Sequence, residues 1–402
     1  MAKRLAIVTA GVLLAATDAW AQSAGEALRG ALFGPNEFTS TGALSEDSAT
    51  ALYGLLLGET ATFPVGTSAG GFTWIFDSNL RVPIRRSSSF GPMFAERPFT
   101  TGRRRLNVGA LFQHTSFVSV GGQPLTELED FVEYRTGDIY AYTSSAEIAI
   151  DRWVVSATYG LFDKLDVGVI LPLGYSRVSG AAAYYQRESG NESTTREEIS
   201  GSSFGLGDFV IRTKAALIAS RSLDAAVAVD LRLPTGDPEK LLGAGGMQTK
   251  LLFIAGSTVG SVMPHVNLGY TFGGSGMTFG ADNRWIGSFG DPELIEREPS
   301  EEFNYTIGAD AAATPRITIA GDLIGRIVKN SVSMKPYASD PEGDIERFLE
   351  VTPGTQHLLL GAIGVKINVG GSWLATGTIL FPLNDNGIRP AVTPVIGFER
   401  SF

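Results

Sequence analysis

Along much of this chain, apolar and polar residues alternate one for one. In 165–177, Leu165, Val167, Val169, Leu171, Leu173 and Tyr175 share one face, while Asp166, Gly168, Ile170, Pro172, Gly174 and Ser176 share the other. In 223–233 the apolar set is Leu223, Ala225, Val227, Val229, Leu231 and Leu233, against Asp224, Ala226, Ala228, Asp230 and Arg232. Ile317, Ile319, Leu323 and Ile327 are set against Thr318, Asp322 and Arg326. A period of two is the signature of a strand with unlike faces. Strands of soluble sandwiches usually run about 5–6 residues. The present runs hold phase for 9 to 13 residues, the tilted length that crosses a bilayer.

About twelve such segments are predicted, starting near Arg105, Ser144, Leu165, Phe204, Ser222, Gln248, Val262, Phe303, Arg316, Gln356, Ser372 and Arg389. Short links (162–164, 220–221, 257–261, 314–315, 370–371) alternate with long ones (119–143, 179–203, 234–247, 274–302, 329–355) and a final shorter one at 384–387. That asymmetry is the one expected of an outer-membrane barrel, with short periplasmic turns and longer extracellular loops. The predicted fold is therefore all-β: a transmembrane antiparallel up-and-down barrel of about twelve strands with an N-terminal plug-like segment. The last strand places Pro394, Ile396, Phe398 and Phe402 on one face, broken only by Arg400. Phe398 and the terminal Phe402 are read as the signal recognised by the barrel-assembly machinery, with Phe402 in the interfacial aromatic girdle.

Three segments are predicted. Residues 1–21 carry a basic start (Lys3, Arg4), an apolar core from Leu5 to Ala16 and a small-x-small site at Ala19-Trp20-Ala21, the pattern of a cleaved export signal. The apolar core is short of the about 20 residues a membrane-spanning helix needs. Residues 22–102 do not alternate and form a plug or periplasmic segment; residues 103–402 form the barrel. Within 22–102 a helix is expected over 46–57, capped by Ser45, and a hairpin over 70–86 turning at Ser78-Asn79. The run Phe90-Gly91-Pro92-Met93-Phe94-Ala95-Glu96-Arg97 is too rich in apolar side chains to stand free in water. It is read as plug, with Phe90, Pro92 and Phe94 as its bulk and Glu96 and Arg97 as groups that pair with charges on the lumen wall. An external periplasmic extension is the alternative.

With the apolar face toward lipid, the other face lines the lumen. The inward residues are Asp166, Asp208, Arg212, Lys214, Asp230, Arg232, Lys250, His265, Asn267, Asp310, Asp322, Arg326, Lys366 and Glu399. Acids and bases are mixed, unlike a filter of one sign. They are expected to pair across a narrow lumen or to line a screened polar path.

Composition removes other classes. There is no Cys, so thiolate metal sites, disulfides and Cys catalysis do not arise. With 32 Lys+Arg against 42 Asp+Glu, a net charge of −10 argues against nucleic-acid binding. No later stretch reaches about 18 consecutive apolar residues. Of the three histidines, His265 falls inward; His114 and His357 fall outward without a serine in a nucleophile context. No catalytic residue, metal site or cofactor is expected, and the acidic runs near 188–198, 291–302 and 340–350 read as solvated loops.

Several motifs resemble a family of proteobacterial outer-membrane proteins described as transporter-like or as a putative phenol-degradation pathway family. They are Phe90 to Arg97, Gly207-Asp208-Phe209-Val210-Ile211-Arg212-Thr213-Lys214, Arg232-Leu233-Pro234-Thr235-Gly236-Asp237 with Leu241-Leu242-Gly243, Pro264 to Tyr270, Phe303-Asn304-Tyr305 and Asp322 to Arg326. More distantly, Asn36-Glu37-Phe38 is similar to the start of the plug in fatty-acid and toluene outer-membrane importers. The resemblance implies passage of a small hydrophobic or aromatic solute by passive or gated diffusion. The implied partners are outer-membrane lipid and lipopolysaccharide, the barrel-assembly machinery and the solute. A closed barrel whose extracellular loops bind a partner is the alternative from another class.

Overall fold

The computed structural model describes residues 22–33, 46–62, 64, 71–77, 82–85, 87–135, 138–188, 190–220, 223–273, 276–280, 293–297, 301–339 and 346–402. The export-signal reading, Asn36 to Phe38, Ser45 and Ser78-Asn79 lie outside these residues.

Twelve antiparallel strands close into a barrel. They are β1 (Leu106–Val120), β2 (Asp138–Phe162), β3 (Leu165–Glu188), β4 (Phe209–Ala219), β5 (Asp224–Leu233) and β6 (Gln248–Gly256). There follow β7 (Val262–Gly273), β8 (Glu302–Thr314), β9 (Ile317–Ser339), β10 (Glu346–Gly370), β11 (Trp373–Pro382) and β12 (Thr393–Ser401). Each strand pairs with its sequence neighbours, and the ring closes where β12 pairs with β1 from Val395↔Gln113 to Ser401↔Asn107. At that seam Phe402 N–H donates to the Leu106 carbonyl at 2.8 Å, so the last residue is paired at the short-turn rim.

The alternation sorts as the strand period requires. Ile319, Leu323, Ile363, Val229, Phe253, Leu268, Ile307 and Ile396 are exposed on the outer face, and their neighbours Thr318, Asp322, Asp230 and Lys366 are buried within. An apolar face that wide, exposed all round, is the lipid face of a membrane barrel rather than one patch on a soluble protein. Aromatic pairs flank it. Phe112 and Trp153 meet at a tilt toward the long-loop side (centroids 5.4 Å, planes at 45°), and Tyr305 meets His357 at the same side. Near the short turns the Arg400 guanidinium lies between the Trp373 and Phe402 rings, at 5.0 and 4.4 Å from their centroids. Arg400 thus belongs to the interfacial girdle, and its break in the apolar pattern marks the edge of the membrane.

The long connections differ from the sequence reading. Much of 179–203 is strand, not loop: β3 continues to Glu188 and pairs with Asn191–Leu206, from Glu188↔Asn191 to Leu173↔Leu206. The same face of β3 is then taken by β4, from Ile170↔Val210 to Leu165↔Ala215. Asn191–Leu206 and β4 are therefore one wall strand interrupted at Gly207-Asp208. Likewise β9 and β10 stay paired through Ser339↔Glu346, and Leu128–Arg135 pairs with the first part of β2. These extensions stand beyond the lipid belt. With water on the outside there is no apolar alternation to betray a strand, as in Asn191-Glu192-Ser193-Thr194-Thr195-Arg196-Glu197-Glu198.

The N-terminal segment lies inside. Helix α1 (Ala24–Phe33) and helix α2 (Glu46–Thr62, longer than the predicted 46–57) bury Leu28, Leu32, Leu52, Tyr53 and Leu56 completely. They pack against inward residues of opposite walls, among them Ile148, Val178, Ile199, Val332, Met334 and Ile388. The predicted hairpin is present as Trp74–Asp77 paired with Val82–Arg85.

Candidate functional site: the occupied lumen

The described residues between 22 and 101 are fastened to the wall at successive heights. At the long-loop end Gln22 forms a bridge with Gly201, and its carbonyl accepts from Ser202 N–H at 3.1 Å. Ser203 Oγ accepts from Ala24 N–H at 3.0 Å, and Ser144 Oγ donates to the Ala31 carbonyl at 2.5 Å. Gly25 passes so close to the turn at 238–240 that a Cβ there would lie 1.9 Å from the Glu239 carbonyl oxygen. Only glycine permits that approach.

Lower down, α2 contributes Glu59. Arg326 of β9 donates to Glu59 at 2.6 Å and to Glu302 of β8 at 2.7 Å, with all three side chains buried. The guanidinium fork suits two carboxylates at once. A second triad joins Glu96 to Arg212 and Lys214 of β4: Arg212 pairs with Glu96 and, at 2.6 Å, with Asp230 of β5, while Lys214 Nζ is 3.6 Å from Glu96. Alternate residues of one strand share a face, so Arg212 and Lys214 both reach the plug.

A third cluster holds the run Ser87 to Phe94. Asp322 of β9 accepts from Met93 N–H (3.2 Å) and Phe94 N–H (2.9 Å), and its other oxygen meets His265 Nε2 at 2.7 Å. His265 Nδ1 lies 3.4 Å from Asp310, which also accepts from Ser89 Oγ. Thr318 Oγ1 accepts from Phe90 N–H at 2.8 Å, and the Phe90 carbonyl lies 3.5 Å from Lys366 Nζ. Asn267 Nδ2 donates to the Glu96 carbonyl at 3.1 Å. At the short-turn end Asp166 accepts from Thr101 N–H at 2.7 Å.

The predicted lumen residues are thus gathered on the inner wall, but they do not all meet the plug alike. Asp208 is held by Gly236 N–H (3.0 Å) and Ala244 N–H (2.9 Å), so it orders the 236–244 loop. Glu399 accepts from Gly71 N–H at 2.9 Å. Arg232 and Lys250 face a cavity described below. Of the plug residues, Phe90 is fully buried and meets Phe72 edge-on at 5.3 Å, while Phe94 packs against the wall cluster of Ile324, Leu360, Leu380 and Val395. Pro92 is buried in the same turn, between Gly91 and Met93. Arg97 departs from expectation: instead of a lumen carboxylate it reaches the Gly71 carbonyl at 3.2 Å and the Ser89 carbonyl and hydroxyl at 3.3 Å, and it stacks on Phe99. It cross-links the plug to itself, because the nearest wall acids are already taken by His265, Ser89 and Gly71. Phe398 and Phe402 stand on the lipid face.

Sequence reasoning missed Glu59, Arg152 and Gln248, and it read Glu302 with the solvated loop 291–302, whereas Glu302 is buried against Arg326. Glu302 and Gln248 carry the parity of Asn304 and Lys250 and were findable; Glu59 lies in a helix whose orientation no strand pattern reveals. It also missed an outer-face pair: His114 Nδ1 meets Asp151 at 2.6 Å, and Arg177 meets the same carboxylate at 2.8 Å. Among the described residues no cluster of three or more His, Asp or Glu is arranged for a metal.

Between the plug and the β3–β9 wall remains a cavity of about 190 Å³. Arg152, Arg232, Lys250 and Gln248 face it along with Phe94, Ile170, Pro172, Leu242 and Leu252.

No curated protein matches the sequence. Among solved structures, an outer-membrane channel of Pseudomonas putida F1 is similar at 11% identity and a TM-score of 0.47, over 76% of this chain and 97% of that one. The toluene transporter TbuX of Ralstonia pickettii aligns at 11% identity and 0.39, over 85% and 99%. The translocator domain of the autotransporter NalP from Neisseria meningitidis aligns at 11% and 0.34, over 75% and 89%. The family model described as "Putative MetA-pathway of phenol degradation" matches residues 142–290. Over that stretch, which carries β3 to β7 and most of β2, the chain is similar to the same family that its motifs resemble.

Proposed function

We infer that this is an outer-membrane channel that passes a small hydrophobic or aromatic solute by gated diffusion, its own N-terminal segment being the gate. The observation that carries the reading is the occupied lumen: a closed wall with a lipid-facing exterior, whose inner charges hold a segment of the same chain while leaving a cavity beside it. Twelve strands lie between barrels filled by side chains and wide aqueous porins. A bore of that size admits a narrow path past a plug. The plug is held by separable polar contacts at several heights rather than by one continuous sheet, which suits partial release. The family description points to phenolic compounds, in keeping with an aromatic solute.

The proposal places the barrel among lipopolysaccharide and lipid, delivered by the assembly machinery through its terminal strand. It assigns no catalysis: the His114–Asp151 pair points to lipid with Arg177 as its other neighbour. Planar-bilayer recording and liposome swelling with phenol and with sugars of similar mass test it. The expected result is small, intermittent conductance and faster phenol entry. Neither conductance nor uptake would replace it with a closed barrel that works through its extended extracellular strands.

A further inference from the structure

We propose that the lumen cavity is a binding site for a small organic anion, a monocarboxylate with a single aromatic ring or short apolar chain, with Lys250 as its ionic partner. This rests on the channel reading and narrows its solute class.

The charges around the cavity are unevenly committed. Its acids are Glu96, Asp208, Asp230 and Glu302. Each is already engaged: Glu96 by Arg212 and Lys214, Asp230 by Arg212, Glu302 by Arg326, and Asp208 by two backbone N–H groups. Lys250 forms no hydrogen bond or ion pair with the described residues, although Asp230 is its register partner on β5. Its chain leans the other way, across β7, where Gly269 leaves room: a Cβ at Gly269 would lie 2.9 Å from Lys250 Cε. The ammonium makes no ion pair with Asp230, which Arg212 already holds with two bonds of 2.6 Å. Arg232, the residue before the end of β5 at the same face, and Arg152 add positive potential to the same space.

An ammonium facing a cavity, with its nearest acids Glu302 and Asp230 already held by Arg326 and Arg212, favours an anionic guest. The rest of the lining decides what kind. Ile170, Pro172, Leu242, Leu252 and Phe94 form an apolar side, so a guest needs a hydrophobic body as well as a charged head. The volume of about 190 Å³ is below the roughly 300–1,000 Å³ of drug-sized sites. A single ring fits that limit; a long-chain acid does not.

The test is equilibrium binding to the folded barrel in detergent, with its N-terminal segment in place, measured by calorimetry. The probes are benzoate, benzyl alcohol and inorganic phosphate. Benzoate is expected to bind at least tenfold more tightly than either of the others. Lys250→Met should weaken benzoate at least tenfold and leave benzyl alcohol unchanged, while Lys250→Arg should keep most of the benzoate affinity. Gly269→Ala, which crowds the lysine without removing its charge, should also weaken benzoate. Heat-modifiable mobility in electrophoresis confirms that each variant is a closed barrel. Equal binding of benzoate and benzyl alcohol, or benzoate binding untouched by Lys250→Met, overturns the proposal; tightest binding of phosphate would make the site one for inorganic anions and overturn it too. Because binding is read without conduction, a barrel that binds benzoate but passes nothing would refute the channel reading alone.

Discussion

At the scale of single residues, neighbours in sequence face opposite solvents. Ile319 is half exposed on the lipid face, whereas Asp322, three positions on, is buried against His265 and the plug backbone. Ile319→Arg is expected to destabilise the barrel by about 2–4 kcal/mol if the site lies near the bilayer midplane, measured by reversible unfolding in liposomes. Lys366→Ala, on the inner face of β10, should insert normally; equal losses at both would show the faces to be transposed. Glu96 gives a second case. Its removal leaves Lys214 buried with no carboxylate within ion-pair distance, although Arg212 keeps Asp230. Glu96→Ala should therefore weaken docking of the plug by about 3 kcal/mol, seen as longer and more frequent open events in single-channel records. An unchanged record would mean that Glu96 does not help hold the gate.

At the scale of elements, the wall was legible and its contents were not. Alternation identifies a strand only where its two faces meet different media, as in β5 and β9 through the lipid belt. It fails above the belt, which is why Asn191–Leu206 and the upper parts of β9 and β10 read as loops. The lumen face could be assigned by parity from the outer face, so Arg212, Asp230 and Arg326 were legible as inward residues. Their partners were not, because a helix packed in a barrel buries residues around most of its circumference and has no fixed parity relative to the wall. Glu59 and Tyr53 on α2 are examples. The seat of α1 depends on contact too close for any side chain at Gly25. Gly25→Val should lift the start of α1 from the 238–240 turn without altering the wall. Since the chain has no Cys, a lone cysteine introduced at Ser23 reports this cleanly. Its labelling by a membrane-impermeant maleimide should accelerate at least severalfold; an equal rate would show that α1 is held by its other contacts alone.

At the scale of the whole molecule, the barrel and its occupant share one interior. Leu28, Leu52 and Leu56 have their apolar surroundings supplied by the wall, and the wall's Arg326 and Arg212 have carboxylates supplied by the occupant. A chain lacking 23–100 should still close, because every pairing from β1 to β12 lies outside the deletion, but its current should be larger and less intermittent. Unchanged current would place the restriction in the extended strands instead. The bridge at Gln22 and the contact at Thr101 lie at opposite ends of the bore, and this bears on how the molecule is made. The seam joins the first wall strand to the last, so the ring stays open until the final residues arrive. Everything from Gln22 to Thr101 precedes the first wall strand and is already present by then. The barrel is therefore expected to wrap around its plug, like a coopered cask closed on its contents. An early seam would shut the segment out, so the timing of closure is as much a determinant of the native lumen as any contact inside it.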